Sequence, residues 1–549
     1  MARLDQMNTA KEVAQLGAVL GREFSYEMLQ AIASQDDETV QASLAQLVGA
    51  ELLYQRGRPP RARYIFKHAL IQEVTYFSLL TARRKALHRK VGEAMEEQFA
   101  ERINEYSNIV GEHFLRGEDW ERAYVYLNRA GEAAIRLYAH AEARTHFTNA
   151  LKALDHLEDT ESNVRRQVDT IIRLTVSSWL TDPAEILLER LDKAQRLIAS
   201  ISGSEARSPE DALRLARVQF WMGRAHYQRG DMKEALGYYK QVLPIAQQAA
   251  DPELLVIPTG AIGQALIVQG HLEKGAAMLG QAIPVFEKMA RWPQWIQAKS
   301  FYGAGVAGMG DWKQGLSEAQ DALAKSNEFK SFTGIGVSQN CIGYACLFGG
   351  ELQRAMAAAE AAVEAARQSK DLIYQYVGYA LWAWSAGRSG QMDIATKNMI
   401  RSQEVAQQLG GKVIMGDVTM AAGAEIALFK GNFNDALKLA KQILEVAQMT
   451  GAVWSAGVAY RVWGQAMVSL NPPGWEEAEK HFAESISILE TGKNRLEAAR
   501  THLVWGKVCH DRGNTGTALN HWEQANRQFT ESKATREMQK VQNLMASQG

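Results

Sequence analysis

Apolar residues recur at helical spacing along most of the chain, and from residue 217 to residue 525 they recur in units of about forty. A turn residue divides each unit: Gly230, Gly270, Gly310, Gly350, Gly390, Gly431, Pro473 and Gly513. Seven residues before each turn stands a small residue: Gly223, Gly263, Gly303, Gly343, Ala383, Ala424, Ala466 or Gly506. Five residues after it stands another: Ala235, Gly275, Gly315, Ala355, Ala395, Ala436, Ala478 or Ala518. Three small positions held in phase over eight copies predict a solenoid of helical hairpins.

The first unit shows the physics. Residues 218–229 and 232–246 predict two helices. Gly230 ends the first because it takes a left-handed backbone without steric cost, and Asp231 is expected to cap the second. Gly223 and Ala235 let the paired helices approach closely. One pair cannot bury its own apolar face, so neighbours must stack. The small positions, and a bulky residue later in the unit (Tyr239, Leu279, Met399, Phe482, Trp522), resemble the tetratricopeptide repeat, TPR. The unit exceeds that repeat's usual length of about 34 residues, so the excess lies in longer helices or loops. The expectation is a right-handed TPR-like α-solenoid.

The first hundred residues follow a different pattern. Helices are predicted over 9–20, 26–33 and 38–49, with Ser25 and then Asp36 or Asp37 as caps. Short strands over 52–55 and 63–67 flank a turn rich in Gly and Pro, and a long helix over 69–99 follows. Three helices and a two-stranded wing make a winged helix. The phrases KEVAQLGAVLGREFSYEMLQAI, LAQLVGAELLYQRG and YIFKHALIQEVTYFSLL resemble the segment after the nucleotide-binding module of STAND signal-transduction ATPases. The likeness is to the bacterial type, often fused to a class III nucleotide cyclase and ending in TPR repeats. That resemblance implies a sensor arm that relieves inhibition of an upstream ATPase. It also implies that His68, in Phe66-Lys67-His68-Ala69-Leu70, contacts the ADP phosphates of a full-length parent, although Ala69 stands where the family has Asp.

The fold class is therefore all-α. Residues 1–100 form the winged-helix module, 101–205 irregular helical repeats, 206–530 a regular array of eight hairpins, and 531–549 a polar capping helix and tail. Within 101–205 the turn signature stands at 117–123 and returns at 138–143, and Thr181-Asp182-Pro183 opens a helix. The most linker-like stretch is 201–209.

Composition narrows the function. Sixty-one Lys and Arg balance 62 Asp and Glu, so net charge drives the chain neither to nucleic acid nor to membrane. Residues 52–90 hold ten Lys or Arg against Glu73 alone, a real basic patch. The candidate reading helix, 38–49, has no Lys or Arg; Thr39, Gln41, Ser43 and Gln46 are its uncharged polar residues, which argues against DNA. Cys341, Cys346 and Cys509 read as core thiols of a reducing compartment. No apolar leader or long apolar run stands out, so the expected location is cytoplasmic.

No catalytic chemistry emerges. No Gly-x4-Gly-Lys-[Ser/Thr] loop occurs, because Gly411-Lys412 precedes Val413 and Gly492-Lys493 precedes Asn494. There is no zinc-type His spacing and no Gly-x-Ser-x-Gly elbow, and His113, His140, His146 and His271 are scattered. The reading is a non-enzyme without cofactor or metal, the C-terminal part of a larger protein or its split-gene partner.

Binding is what remains. In such arrays the first helix of each pair lines the concave face. Positions three, six, ten and thirteen before each turn supply Arg217, Arg224, Tyr227, Gln264, Gln297, Asn340, Tyr344, Trp384, Glu425, Trp463, Arg500 and Lys507. Aromatic and charged residues in one groove suit a protein or peptide partner. A stand-alone scaffold and a winged-helix DNA-binding regulator are the alternatives.

Overall fold

The computed structural model describes residues 7–137, 139–202 and 208–547. The N-terminal segment read for a leader, Tyr138, and the centre of the expected linker at 203–207 lie outside the described residues. The chain divides into two compact units: Met1–Ser178 with Ala194–Glu205, and Trp179–Lys193 with Ala206–Gly549.

The first unit begins with a helix, Asn8–Leu20, a strand β1, Glu23–Ser25, and helices Tyr26–Ile32 and Asp37–Gly49. Ser25 Oγ accepts from the Met28 amide at 3.2 Å, and Asp36 accepts from the Thr39 amide at 2.8 Å, so both expected caps form. Strands β2, Leu53–Arg56, and β3, Arg63–Phe66, complete an antiparallel sheet of order β1-β3-β2. The expected two-stranded wing thus has a third strand. Three residues are too short to show a period, but Phe24 of β1 pairs with Tyr64 and stacks on its ring at 5.8 Å.

The expected helix over 69–99 is two helices, Ala69–Phe77 and Thr81–Gln98. Ser78 explains the break. Its hydroxyl donates back to the Thr75 carbonyl at 2.6 Å and accepts from Gln15 at 2.9 Å, while Leu79 is drawn into the core. Further on, His88 and His113 meet Nδ1 to Nδ1 at 2.9 Å in the interior, and Tyr76 holds the far side of His88. Four further helices, Ser107–Gly117, Trp120–Arg136, His140–Leu154 and Glu161–Ser178, finish this unit's main body.

The second unit contains eight helical hairpins among the described residues. They run from Pro209–Arg229 with Met232–Gln248 to Arg495–Asp511 with Thr515–Glu531, and Thr535–Ala546 follows. Many of their helices are 17 residues long, which absorbs the excess over the TPR length. Gly230 and Gly270 end first helices in the left-handed region, at φ 81° and 88°. Asp231 does not cap through its side chain, contrary to expectation; its carboxylate is taken by Arg229 at 2.5 Å and by Lys412. The small positions act as expected. A Cβ on Gly315 would stand 2.2 Å from the Gly303 carbonyl oxygen, so these two helices touch backbone to backbone.

The hairpins also meet far along the chain. The Ile414 amide donates to the Gln228 carbonyl at 2.7 Å, beside the first turn. Asn494 Nδ2 donates to the Gly270 carbonyl at 2.8 Å, and the Leu272 amide donates to Gly492. Arg500 donates to the carbonyls of Leu347 and Phe348 at 3.1 and 2.7 Å. The turns of the first, second and fourth hairpins are thus covered by segments that follow the fifth. The inner faces of the first helices become an interior. Among the described residues one helix, Pro252–Gln269, is long and apolar enough to cross a membrane, although no such run was expected; it packs within the array and is largely buried. The three cysteines are buried and unpaired, as core thiols should be.

Candidate functional site

Two features occupy the interior of the array. The first is a cavity of about 60 Å³, counted as space open to the centres of water molecules. That is room for about four waters. Its wall comes from Trp179 ahead of the hairpins, the first helices of the first five hairpins, Leu272 at the start of the second hairpin's second helix, the segment before the sixth hairpin, and Trp454 of the seventh. The wall is mainly apolar: Ile267, Val268, Leu272, Val337, Cys341, Ile373 and Val377, with Trp179 and Phe301 partly exposed at its edge.

One charge stands in this wall. Arg224 is 5% exposed, and its guanidinium lies 4.4 Å from the Trp179 ring centre and 5.0 Å from that of Tyr227. It donates to Gln264 Oε1 at 3.1 Å. No carboxylate among the described residues pairs with it. The phenols around it cannot replace one: burial pushes Tyr227 well above its ordinary value, and Tyr239 up to about 12. Several buried polar atoms here also lack partners among the described residues: Asn340 Oδ1, Trp454 Nε1 and the Tyr239 hydroxyl.

The second feature is a buried charged cluster. Glu497 is wholly buried and accepts from Arg388 at 2.9 and 3.2 Å, Arg461 at 2.7 Å and Arg500 at 2.8 Å. Glu425 accepts from Arg388, Arg461 and the Trp384 indole, the last at 2.6 Å. Glu537 approaches Arg500 at 3.5 Å. Burial pushes the Glu425 carboxyl upward, but Arg388 and Arg461 outweigh it and hold it at about 2; Glu497 is held well below the ordinary range in the same way. Trp384 connects the two features, because it stacks on Trp454 with ring centres 5.5 Å apart.

The predicted groove residues fall into three groups. Arg224, Tyr227, Gln264, Asn340 and Tyr344 line the cavity, and Gln297 reaches the Tyr374 hydroxyl at its wall at 3.3 Å. Trp384, Glu425 and Arg500 belong to the charged cluster. Arg217 and Lys507 are exposed, and Trp463 packs on His481 at 4.4 Å with Lys441 above it. The polar members expected as solvated groove lining are mostly buried, because the coil covers its own turns. The sequence reading missed Trp179, Tyr374, Trp454, Arg388, Arg461 and Glu497. A lone Arg461 in the apolar run 452–468 was the available signal. In the first unit, His68 is exposed at the start of Ala69–Phe77 and makes no capping hydrogen bond. Among the described residues no group of His, Cys, Asp and Glu is placed to hold a metal ion.

No protein-family model matches the chain. An uncharacterized protein of Rhizobium meliloti (strain 1021) is 28% identical over 162 residues, which are 29% of this chain and 16% of that one. The match therefore spans a small part of that relative's length. Among solved structures, a Rap protein complexed with competence and sporulation factor superposes with a TM-score of 0.51 at 12% identity, covering 68% of this chain and 99% of that one. A STAND protein with a tetratricopeptide repeat sensor from Pyrococcus horikoshii gives a TM-score of 0.34 at 14% identity, covering 89% of this chain and 65% of that one. The fold is that of a TPR-like α-solenoid.

Proposed function

We propose that this chain is the non-catalytic binding arm of a STAND-type signalling ATPase, in which the array takes up a partner and the first hundred residues pass the event to an upstream nucleotide module. The observation that carries the binding role is the interior cavity with a buried Arg224 that no carboxylate among the described residues pairs. Stability alone does not favour such a group, because burying a charge without a counter-charge is costly. A partner that supplies the missing charge accounts for its presence. The Rap protein of similar fold was solved with a bound factor, which is in keeping with this role.

The ATPase connection rests on the residue phrases of the first module and on its element order: helix, strand, two helices and two strands, as in a winged helix. His68 at an exposed helix start is accessible to a phosphate there. DNA binding is the weaker reading. The exposed face of Asp37–Gly49 presents Asp37, Glu38, Gln41 and Gln46, so acids stand where phosphates would come.

Two measurements test this. The reading frame upstream, or beside this one, should encode a phosphate-binding loop and its ATPase module; its absence leaves a scaffold and ends the STAND part. The full chain, immobilised, should retain that module, with hydrogen exchange slowed over residues 52–90. Unchanged exchange and no retention would refute the arm.

A further inference from the structure

We propose that the interior cavity is a binding site for a carboxylate carried on a short apolar group, with Arg224 as its counter-ion. This deepens the binding role proposed above and rests on it. Three observations point to the same ligand chemistry. First, Arg224 is a permanent cation with five N–H donors, one of which is taken by a neutral acceptor, Gln264 Oε1. An aliphatic or aromatic molecule without charge would leave the guanidinium as it is. A second cation would be repelled. An anion completes it, and a carboxylate matches the guanidinium fork with two parallel hydrogen bonds.

Second, the wall holds one unpartnered donor, the Trp454 indole, and one unpartnered acceptor, Asn340 Oδ1, so a carboxylate oxygen and a peptide N–H each find a partner there. Trp454, a wall of the same cavity, has a buried indole N–H with no partner among the described residues. Buried polar atoms are usually paired, so a ligand that pairs the Trp454 N–H is favoured over one that does not. Tyr239 and Tyr227 stay neutral through burial, so neither competes as an internal anion.

Third, the remaining wall and the volume limit the rest of the ligand. Apart from these groups the wall is side chains such as Ile267, Val337 and Ile373. A cavity of about 60 Å³ is well below the roughly 150 Å³ of an engineered site that admits benzene. It therefore seats the carboxylate and the first carbon or two, and the rest of a branched free acid, or of a peptide's C-terminal residue, extends past Trp179 and Phe301 at the edge. Phosphate and sulfate lack the apolar body this wall favours.

The full chain is titrated with 3-methylbutanoate, with its uncharged amide, and with N-acetyl-Ala-Leu as the free acid and as the C-terminal amide. Calorimetry reads binding and thermal melting reads stabilisation. At least one free acid should bind saturably and raise the melting temperature, with its amide at least tenfold weaker. Binding of 3-methylbutanoate indicates a free acid, and binding of the dipeptide alone indicates a chain terminus; both support the site. In Arg224→Met the effect should vanish, while the variant without ligand melts no lower than the parent. If that variant fails to fold, the acid-against-amide comparison on the parent decides. Absence of saturable binding by both acids, equal binding of acid and amide, or undiminished binding by R224M overturns the proposal. Retention of the ATPase module together with any of these results would sink the cavity ligand alone and leave the binding arm standing.

Discussion

Glu497→Gln is the sharpest probe of what holds the array closed. Glu497 accepts from three arginines and is wholly buried. The cluster balances Arg388, Arg461 and Arg500 against Glu425, Glu497 and Glu537. The glutamine keeps the shape but removes one negative charge, leaving a buried positive excess. Breaking one side of a buried pair costs about 3–5 kcal/mol. The pKa of neighbouring Glu425 gives a consistent scale: its fall from 4.5 to about 2 corresponds to about 3 kcal/mol.

Because solenoid repeats stabilise mainly their neighbours, the loss should be regional rather than global. Hydrogen exchange should speed up about a hundredfold or more in Leu372–Arg388, Val453–Val468 and Arg495–Asp511. Exchange in the first unit should be unchanged. The acid dependence follows from depressed carboxyl pKa values: the cluster's contribution is complete above about 4.5, the ordinary glutamate value, and is lost as pH falls towards about 2. In E497Q part of that acid sensitivity should be missing. A variant within about 1 kcal/mol of the parent, with exchange unchanged in the three helices, would refute the argument.

Three other outcomes follow from the same structure. Gly315→Ala should lower stability by about 1–3 kcal/mol, because its Cβ meets the Gly303 backbone, whereas Gly237→Ala, in open space within Met232–Gln248, should be neutral or gain up to about 1 kcal/mol; equal urea midpoints would contradict the close approach. His88 and His113, lowered to about 3 and about 4 chiefly by burial, are neutral when folded, so the first unit should lose stability as pH falls below 6.5 towards 4; flat exchange in Thr81–Gln98 over that range would count against the buried pair. Burial also pushes the Cys346 thiol up to about 11, and Cys341 and Cys509 upward as well, so iodoacetamide at pH 8 should label none in the native protein and all three after denaturation.

The hairpins were legible because their signal is local and repeated. Gly303 and Gly315 sit in phase with their counterparts, and the backbone contact they permit is the reason for the phase. The features that escaped the sequence have other causes. Strand β1 is too short for alternation to show. The helix over 69–99 has no Pro or Gly at its break; only Ser78 bonding its own backbone and Leu79 finding the core divide it. Asp231 reads as a cap from its position, but Lys412, nearly two hundred residues on, competes for its carboxylate. Arg388 and Glu497 fall outside the groove positions chosen by phase, and side chains of that kind read as solvated until their partners are seen.

The remaining gap, between a groove and an interior, is one of geometry that a repeat cannot state. Phase within a unit says which face turns inward; the small rotation between units decides whether the coil meets itself. Here Gln228 meets Ile414, Gly270 meets Asn494, and Phe348 meets Arg500. The same meeting brings Trp454 against Tyr344 and Phe348 and adds it to the wall that Arg224 also lines. A ligand held by Arg224 and that wall is therefore held by the closed coil and not by an open one. Its binding free energy adds to closure in the amount by which the two forms differ in affinity. The charged cluster favours the same closed form without a ligand, and Trp384 touches both by stacking on Trp454 and donating to Glu425. If the array carries a signal as proposed, that signal is a change in how firmly the coil is closed, set by the cavity and by the ion pairs of the cluster.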